Sequence, residues 1–424
     1  MQFPLQAFIA VSAENPWTYV VFGLIGFAFG FTLEMSGFGD SRKLAAQFYF
    51  KELTVLKVMF TAIVTAMVLL FGAVGLGLLN FNLVWVNETY LASGILGGVI
   101  MGVGFIVGGF CPTTSLASAS TGKIDGMFFI LGGFFGAFLF GETQKYFEDW
   151  YNHVGYYGRL TLDQVFNLPA GVVVLLVVCM ALFMFWGAEQ LERTIGKKDM
   201  TREPKVRLAG AGLLLAGAFA VLFIGTPSTE AKYARLSFER EQEGEKVSYS
   251  ADSMLATRQA YVHPGEVLSA IADDRLITTI IDVRPETDYN LFHIAHSINI
   301  PEDGIQATIP SLLSDQTANV VYVVVSNDES AATRAWKELV AESVLNVYIL
   351  EGGINNWIAV FEQDEESIRP LASASNESLR YTFPAALGDR YACANPSPLI
   401  EWELEFDPKI QLQLKRDKSG GGCG

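Results

Sequence analysis

Of the four cysteines in this chain, two stand where their chemistry can be used. Cys111 lies in the run Gly108-Gly109-Phe110-Cys111-Pro112-Thr113-Thr114-Ser115. Proline followed by hydroxyl residues marks a helix start, because Pro112 loses no needed donor in a first turn and Thr or Ser accepts the orphan N–H bonds. A thiol at the mouth of such an end meets unpaired N–H groups and roughly half a positive charge, so it is expected to contact a ligand or to be reactive. A second run, Ser36-Gly37-Phe38-Gly39-Asp40-Ser41, has a similar make-up but places Gly39 where Cys111 stands in the first. The two runs together predict an anion-holding site lined by Gly39, Asp40, Gly109, Cys111, Thr113, Thr114 and Ser115, with no buried Lys or Arg. Cys423 follows Lys418-Ser419-Gly420-Gly421-Gly422 and precedes Gly424. A glycine run has no preferred conformation, so this thiol is expected on a flexible tether that reaches where a folded domain would not fit. Cys179, in a plain apolar run, is expected to be a buried space-filler. Cys393 is expected to be buried or, in an oxidising compartment, bonded to Cys423. No C-x-x-C or C-x-x-H pair occurs, so neither a metal nor a cofactor is expected.

The elements that must position Cys111 are apolar. In 424 residues, 51% are hydrophobic and only 17% charged, with a mean hydropathy of +0.31, which excludes an ordinary soluble chain. Six runs approach the roughly 20 residues needed to cross a bilayer: Trp17 to Met35, Thr54 to Leu79, Leu91 to Phe110, Gly126 to Gly141, Pro169 to Gly187 and Leu208 to Thr226. Up to Thr226 the chain holds 13 Lys and Arg against 14 Asp and Glu, and beyond it 16 against 31. No part carries the positive excess of a nucleic-acid-binding surface, so no nucleic acid partner is expected. Eleven of the 13 basic residues of the first half, among them Arg42, Lys43, Lys51, Lys57 and Lys123, fall in connections on one side. Basic connections favour the cytoplasm, which places the N-terminus, the region after Thr226 and Cys423 outside; in a bacterium that is the periplasm. Met1 to Pro16 carries no Lys or Arg and lacks the charged start of a cleavable signal.

The first half repeats itself at an offset of 72 residues: Gly26, Gly30, Gly37, Phe38 and Leu44 superpose on Gly98, Gly102, Gly109, Phe110 and Leu116, and Lys51 on Lys123. Each unit reads as an apolar helix, a glycine break, a short polar helix start and a second apolar helix. Duplicated units with broken helices are the organisation of transporters, whose sites form where non-helical backbone lines a cavity. The G-F-x-x-G-G-F-C-P-T-T-S core within Gly104 to Gly126, and G-F-G-D-S-R-K-L-A-A-Q-F within Gly30 to Phe50, resemble the YeeE/YedE family of thiosulfate and related sulfur-compound transporters. The resemblance covers residues 17 to 226. It implies a short hourglass-shaped path in which thiols at the breaks contact a sulfur anion, and Cys111 matches one of them. Gly39 departs from that pattern.

Residues 227–258 are polar and read as a linker. Beyond them, strands at Thr278 to Val283, Asn319 to Val325 and Asn346 to Leu350 alternate with helices at Pro264 to Asp273 and Ser330 to Ser343, predicting an α/β unit with a parallel sheet. Ile281-Asp282-Val283-Arg284, Asp288-Tyr289, His293-Ile294, Ile298-Asn299-Ile300-Pro301 and Leu350 to Trp357 are similar, in order, to a rhodanese domain, here 259–362. The active loop that this resemblance implies would carry a cysteine and anion-holding amides; here the run is Val324-Val325-Ser326-Asn327-Asp328-Glu329-Ser330. Val324 falls at the nucleophile position, and Asp328 and Glu329 would repel an anion. Asp282, Arg284, His293 and His296 are expected to support the fold. Residues 363–424 alternate like strands, notably Leu399 to Phe406 and Lys409 to Leu414. The Gly-Gly-Cys-Gly ending resembles the swinging arm of the periplasmic sulfur-carrier subunit of thiosulfate oxidation, which implies a sulfur-bearing Cys423.

The expected protein is therefore a membrane α-helical bundle with an internal repeat and broken helices (1–226), followed by a soluble α/β rhodanese-like domain. Its expected partners are thiosulfate or a related sulfur anion, membrane lipid, and periplasmic sulfur-oxidation or sulfur-carrier proteins. Transport across an inner membrane is the leading function. A membrane-anchored sulfur carrier or sulfurtransferase partner, and a sensor that gates a pore, are the alternatives.

Overall fold

A computed structural model of the chain describes residues 17–84, 86–197, 206–242, 245–314, 319–361, 368–371 and 377–412. It divides into two units, the first running to Pro227 and the second covering Ser228–Asp417.

The first unit holds α1 (Trp17–Met35), α2 (Ser41–Ala45, continued by a 3-10 turn to Tyr49), α3 (Thr54–Gly75), α4 (Leu91–Gly108), α5 (Pro112–Ser120), α6 (Ile124–Thr143), the short α7 (Glu148–His153) and α8 (Leu162–Phe166), α9 (Ala170–Thr194) and α10 (Val206–Ile224). Helices α3, α4 with α5, α6, α9 and α10 give five candidate spans, long and apolar enough to cross a membrane. The sixth expected span, α1, is helical over Trp17–Met35, but its apolar stretch counts as shorter, Tyr19–Met35. Large apolar side chains point outward along these helices, Phe27 at 73% and Phe223 at 83% exposure, as suits segments whose solvent is lipid. Cys179 corrects one expectation: it is exposed on α9 rather than buried. On a lipid-facing surface a small apolar thiol needs no internal cavity.

The duplication is visible in the backbone. α1, α2 and α3 are matched by α4, α5 and α6, and the breaks between the first two helices of each set contain Gly37 and Gly109, 72 positions apart, at φ +71 and +72. That left-handed conformation strains any residue with a Cβ. Gly109 is also held by close approach, since a Cβ there would lie 3.1 Å from Ser41 O. Phe38 and Phe110, the next residues, are buried at 2% and 1%, and with Leu44 and Val55 they form an apolar cluster. Elsewhere α3, α9 and α10 pack through Val64, Val178 and Ala218. Glu192 on α9, fully buried, pairs with Lys57 Nζ at 2.7 Å and accepts the Leu53 N–H at the start of α3. A buried charge so satisfied ties two helices, and removing either partner would strand the other.

The second unit is built on a five-stranded parallel sheet, order β3 (Tyr261–Val262), β7 (Val347–Leu350), β6 (Val320–Val325), β4 (Ile277–Asp282) and β5 (Ile298–Asn299). Central β6 reads Val-Val-Tyr-Val-Val-Val and is buried throughout, because both faces of a parallel sheet are covered. One face packs on the helix Ser330–Ala341 through Trp336, the other on the helix Gly353–Phe361 through Trp357. The expected helix and strand positions hold to within two residues.

Two stretches differ from expectation. The supposed linker 227–258 is structured: α11 (Thr229–Tyr233), a hairpin of β1 (Ser237–Gln242) and β2 (Glu245–Ser250), and α12 (Ala251–Ala256). Phe238 stacks on Trp336 at 6.1 Å between centroids and Met254 is 1% exposed, so a few apolar residues in a polar stretch cap the Trp336 face. In the C-terminal extension, Pro398–Glu403 is a 3-10 helix and residues 404–412 pair with no strand; the strand-like bits are Arg369–Pro370 and Tyr381–Thr382. The period-two pattern there records one packed side, with Leu404 and Ile410 against the Trp357 face, rather than a ladder.

Residues 409–411 are held by side chains. Glu266 Oε1 accepts the Lys409 and Ile410 N–H groups, each at 2.6 Å, and Tyr348 bonds Gln411. Burial pushes the Glu266 carboxyl above its ordinary range despite those bonds. A carboxyl whose folded pKa exceeds its unfolded value binds more protons when folded, so its contribution to stability falls as pH rises through that window. Unfolding of the soluble unit, followed in the full chain by tryptophan fluorescence from mildly acidic to neutral pH, should lose stability with this slope. Glu266→Gln should flatten it; an unchanged slope in the variant would reject the assignment.

Candidate functional site

The two breaks meet. Ser41 Oγ donates to Asp125 Oδ2 at 3.2 Å, Lys123 Nζ donates to Gly39 O at 2.9 Å, and Gly109 lies against Ser41. Residues of the first repeat thus touch residues of the second at the positions where both helices are interrupted. Gly39 and Gly109 are buried, Asp40 is exposed, and Cys111 and Thr113 are partly exposed. Thr114 is 4% and Ser115 1% exposed. All seven expected site residues fall in the two breaks or in the first turns of the helices that follow, and Gly39 and Gly109 among them lie against residues of the other repeat.

Cys111 is the N-cap of α5, extended at φ −93 and ψ 166, with Pro112 opening the first turn. Its N–H donates to Thr114 Oγ1 at 3.0 Å, and its Sγ lies 3.2 Å from the same oxygen. This capping arrangement fixes the thiol at the helix mouth. Ser115 Oγ turns back onto Pro112 O at 2.6 Å and supports the turn. Cys111 and Thr114 also stand on the wall of a cavity of about 630 Å³, lined almost wholly by apolar groups such as Phe38, Phe105, Met59 and Phe183. A weak S–H donor beside apolar walls suits a soft, poorly hydrated sulfur atom better than a strongly hydrated oxygen.

The first break is not a copy of the second. Asp40, not Gly39, caps α2, and its carboxylate accepts the Arg42 N–H at 3.0 Å. A five-residue helix whose start already holds a carboxylate offers little to an incoming anion. Two lysines reach the first break, neither of them buried: Lys43 is half-buried and Lys123 exposed. Lys43 Nζ donates to Ser36 O at 2.7 Å, and Lys123 reaches Gly39 O across 84 positions. The signal for Lys123 was its superposition on Lys51; Lys43 had none beyond its place beside the break.

In the soluble unit, Asp282 and Arg284 form a fully buried pair at 2.6 Å, and Arg284 also donates to Phe292 O and Asn327 Oδ1. His293 bonds Tyr289 O at 2.8 Å and stacks on its ring, and His296 sits at φ +62 in a turn. These are framework roles. The loop after β6 encloses a pocket of about 520 Å³ lined by Asp288, Glu302, Asp303, Asp328 and Glu377, with Arg334 tied to Glu302 and Glu377. Asp328 accepts the Ser330 N–H at 2.8 Å and the Glu377 N–H at 3.0 Å, so a carboxylate already takes one amide of the loop and one from the C-terminal extension. Ser326 Oγ donates to Asp328 O at 2.7 Å and accepts the Ala332 N–H. Val324 is buried inside the strand. Cys393 is buried at 2% in the Trp357 core, and Cys423 lies outside the described residues.

Comparison with known proteins agrees with both halves. The family model described as Sulphur transport matches residues 13–244, and that of the rhodanese-like domain matches residues 263–360. No curated protein and no solved structure gives a match. With more than half of its length in the match, the chain belongs to the sulphur transport family, the YeeE/YedE transporters, and carries a rhodanese-like domain after its membrane-spanning part.

Proposed function

We propose that this sulfur transporter moves thiosulfate or a chemically similar anion across a bacterial inner membrane, through the paired breaks, with Cys111 as the thiol that contacts the sulfur. The observation that supports this reading most is the meeting of two glycine-centred interruptions, one from each repeat, with a thiol fixed at one of them. An anchor has no reason to interrupt its helices or to bring the interruptions together. Gly39, Asp40, Gly109, Thr113, Thr114 and Ser115 would line the path. Vesicles containing this protein alone should take up labelled thiosulfate. Absence of uptake by well-inserted protein would favour the alternative, a membrane-anchored sulfur carrier.

The rhodanese-like domain is proposed to assist in the periplasm without sulfurtransferase activity. Supporting this, the run from Val324 to Ser330 contains no cysteine and its Ser330 N–H is taken by the Asp328 carboxylate. Cys423 is proposed as a sulfur-handling thiol on the same side. The bias of basic residues predicts that Cys423 in intact cells reacts with a membrane-impermeant thiol reagent after mild reduction. Labelling only after the inner membrane is permeabilised would reverse the orientation.

A further inference from the structure

Two ammonium groups reach the first break, and neither is held there by an ion pair among the described residues. Lys43 Nζ donates to Ser36 O at 2.7 Å and Lys123 Nζ to Gly39 O at 2.9 Å. Both acceptors are neutral carbonyls, and among the described residues neither lysine has a carboxylate within ion-pair distance. A Cβ on Gly37 would stand 3.1 Å from Lys43 Nζ, and one on Gly39 3.1 Å from Lys123 Nζ and 3.0 Å from Glu34 Oε2, so both ammonium groups lie against glycine backbone and the Glu34 carboxylate shares the Gly39 side. Lysine keeps three donors and a compact charge, and one carbonyl uses one donor. The two lysines come from different repeats, Lys43 from α2 and Lys123 from the start of α6. Nearby, Ser118 is fully buried and its hydroxyl has no partner among the described residues; its Cα would lie 3.7 Å from a Cβ on Gly39.

We propose that Lys43 and Lys123 form an anion-binding station at the first break, the counterpart of the Cys111 thiol at the second. The inference rests on the transport reading above and deepens it by naming how the dianionic end of the substrate is held. The first break needs such charges, because its helix start is filled by Asp40 and it carries Gly39 in place of a thiol. Two positive charges match a divalent oxyanion. In transit the anion replaces Ser36 O and Gly39 O as acceptor for the ammonium groups, and the carbonyls take them back once it has passed. A soft end read by a thiol and a charged end read by two ammoniums would together favour a sulfur-tipped dianion over sulfate.

The test is concentration-dependent uptake of labelled thiosulfate into vesicles holding the full chain. Lys43→Gln and Lys123→Gln should each raise the KM by about tenfold, the size of one lost charge-assisted bond, with normal protein levels in the membrane. Lys43→Arg and Lys123→Arg should restore most of the affinity, which a purely structural role for the amine would not predict. Wild-type protein that transports while both glutamine variants keep its KM would overturn the station and leave the transport reading intact. Wild-type protein that does not transport would remove the transport reading itself. Independently of variant folding, thiosulfate should protect Lys43 and Lys123 of the wild-type protein from an amine-acylating reagent, as read by mass spectrometry. Equal acylation with and without thiosulfate would also overturn the proposal.

Discussion

Replacing Cys111 by alanine should lower thiosulfate uptake by about 10- to 100-fold, the range of one lost polar contact to the substrate. The substitution removes the only cysteine in either break. It spares the helix start, because Pro112 still opens α5 and Thr114 Oγ1 still accepts the N–H of residue 111, which is backbone. The cavity beside it would gain little volume. Cys111→Ser keeps a hydroxyl able to bond Thr114 but presents a harder, more strongly hydrated atom to the apolar wall, so its uptake should fall between the two. Circular dichroism and membrane abundance should be those of the parent protein. Parental uptake by a well-inserted alanine variant would return Cys111 to the role of a space-filling side chain.

The elements that position Cys111 were legible because their signals are local and repeated. Glycine 72 residues apart, followed each time by phenylalanine, marks a backbone requirement rather than a packing preference, and the matched φ values at Gly37 and Gly109 are its physical cause. The proline at position 112 placed the start of α5 to the residue. What local signals cannot hold is which long side chains reach across the interface between repeats. Lys123 and Gly39 are 84 positions apart, and the flexible stem that joins them leaves no periodic trace. The capping role of Asp40 was hidden for a related reason. An aspartate before Ser41 fits both a site wall and a helix cap, and its bond to the Arg42 N–H decides for the cap.

The soluble unit shows the same division. Strands and helices of the sheet were readable from runs such as Val320–Val325, whose unbroken apolar character demands cover on both faces. The stretch 227–258 was not, since its few apolar residues, Tyr233, Phe238, Tyr249 and Met254, are diluted by charge. They become a cap only when the hairpin folds them onto Trp336. The acidic loop pocket was foreseeable from Asp328 and Glu329, but not the contributions of Asp288, Glu302 and Glu377 from other elements. Those carboxylates and the occupied Ser330 amide support the proposal that covalent sulfur chemistry belongs to a thiol outside this domain.

That thiol is expected to be Cys423, and Cys423→Ser should abolish sulfur loading of the chain. Loading requires the thiolate to attack the outer sulfur of thiosulfate; the sulfur–sulfur bond breaks and sulfite leaves with its electron pair, so the cysteine gains one sulfur atom without net oxidation. A sulfurtransferase from the same compartment would catalyse this displacement, with thiosulfate as the sulfur donor. Mass spectrometry after such exposure should find the added sulfur on Cys423 and none on the rhodanese-like domain, whose loop from Val324 to Ser330 has no thiol, nor on Cys393 of the C-terminal extension, which is buried at 2%. A serine oxygen cannot carry persulfide sulfur, so the effect of the variant is all or none. Uptake into vesicles that lack the partner enzyme should be unchanged, because Cys111 and the lysines of the first break are intact. Uptake lost together with loading would make the tail part of the transport cycle, with sulfur handed from thiol to thiol. A tail that never gains sulfur and is recovered bonded to Cys393 would remove the carrier role and leave a transporter whose C-terminus is closed by a disulfide.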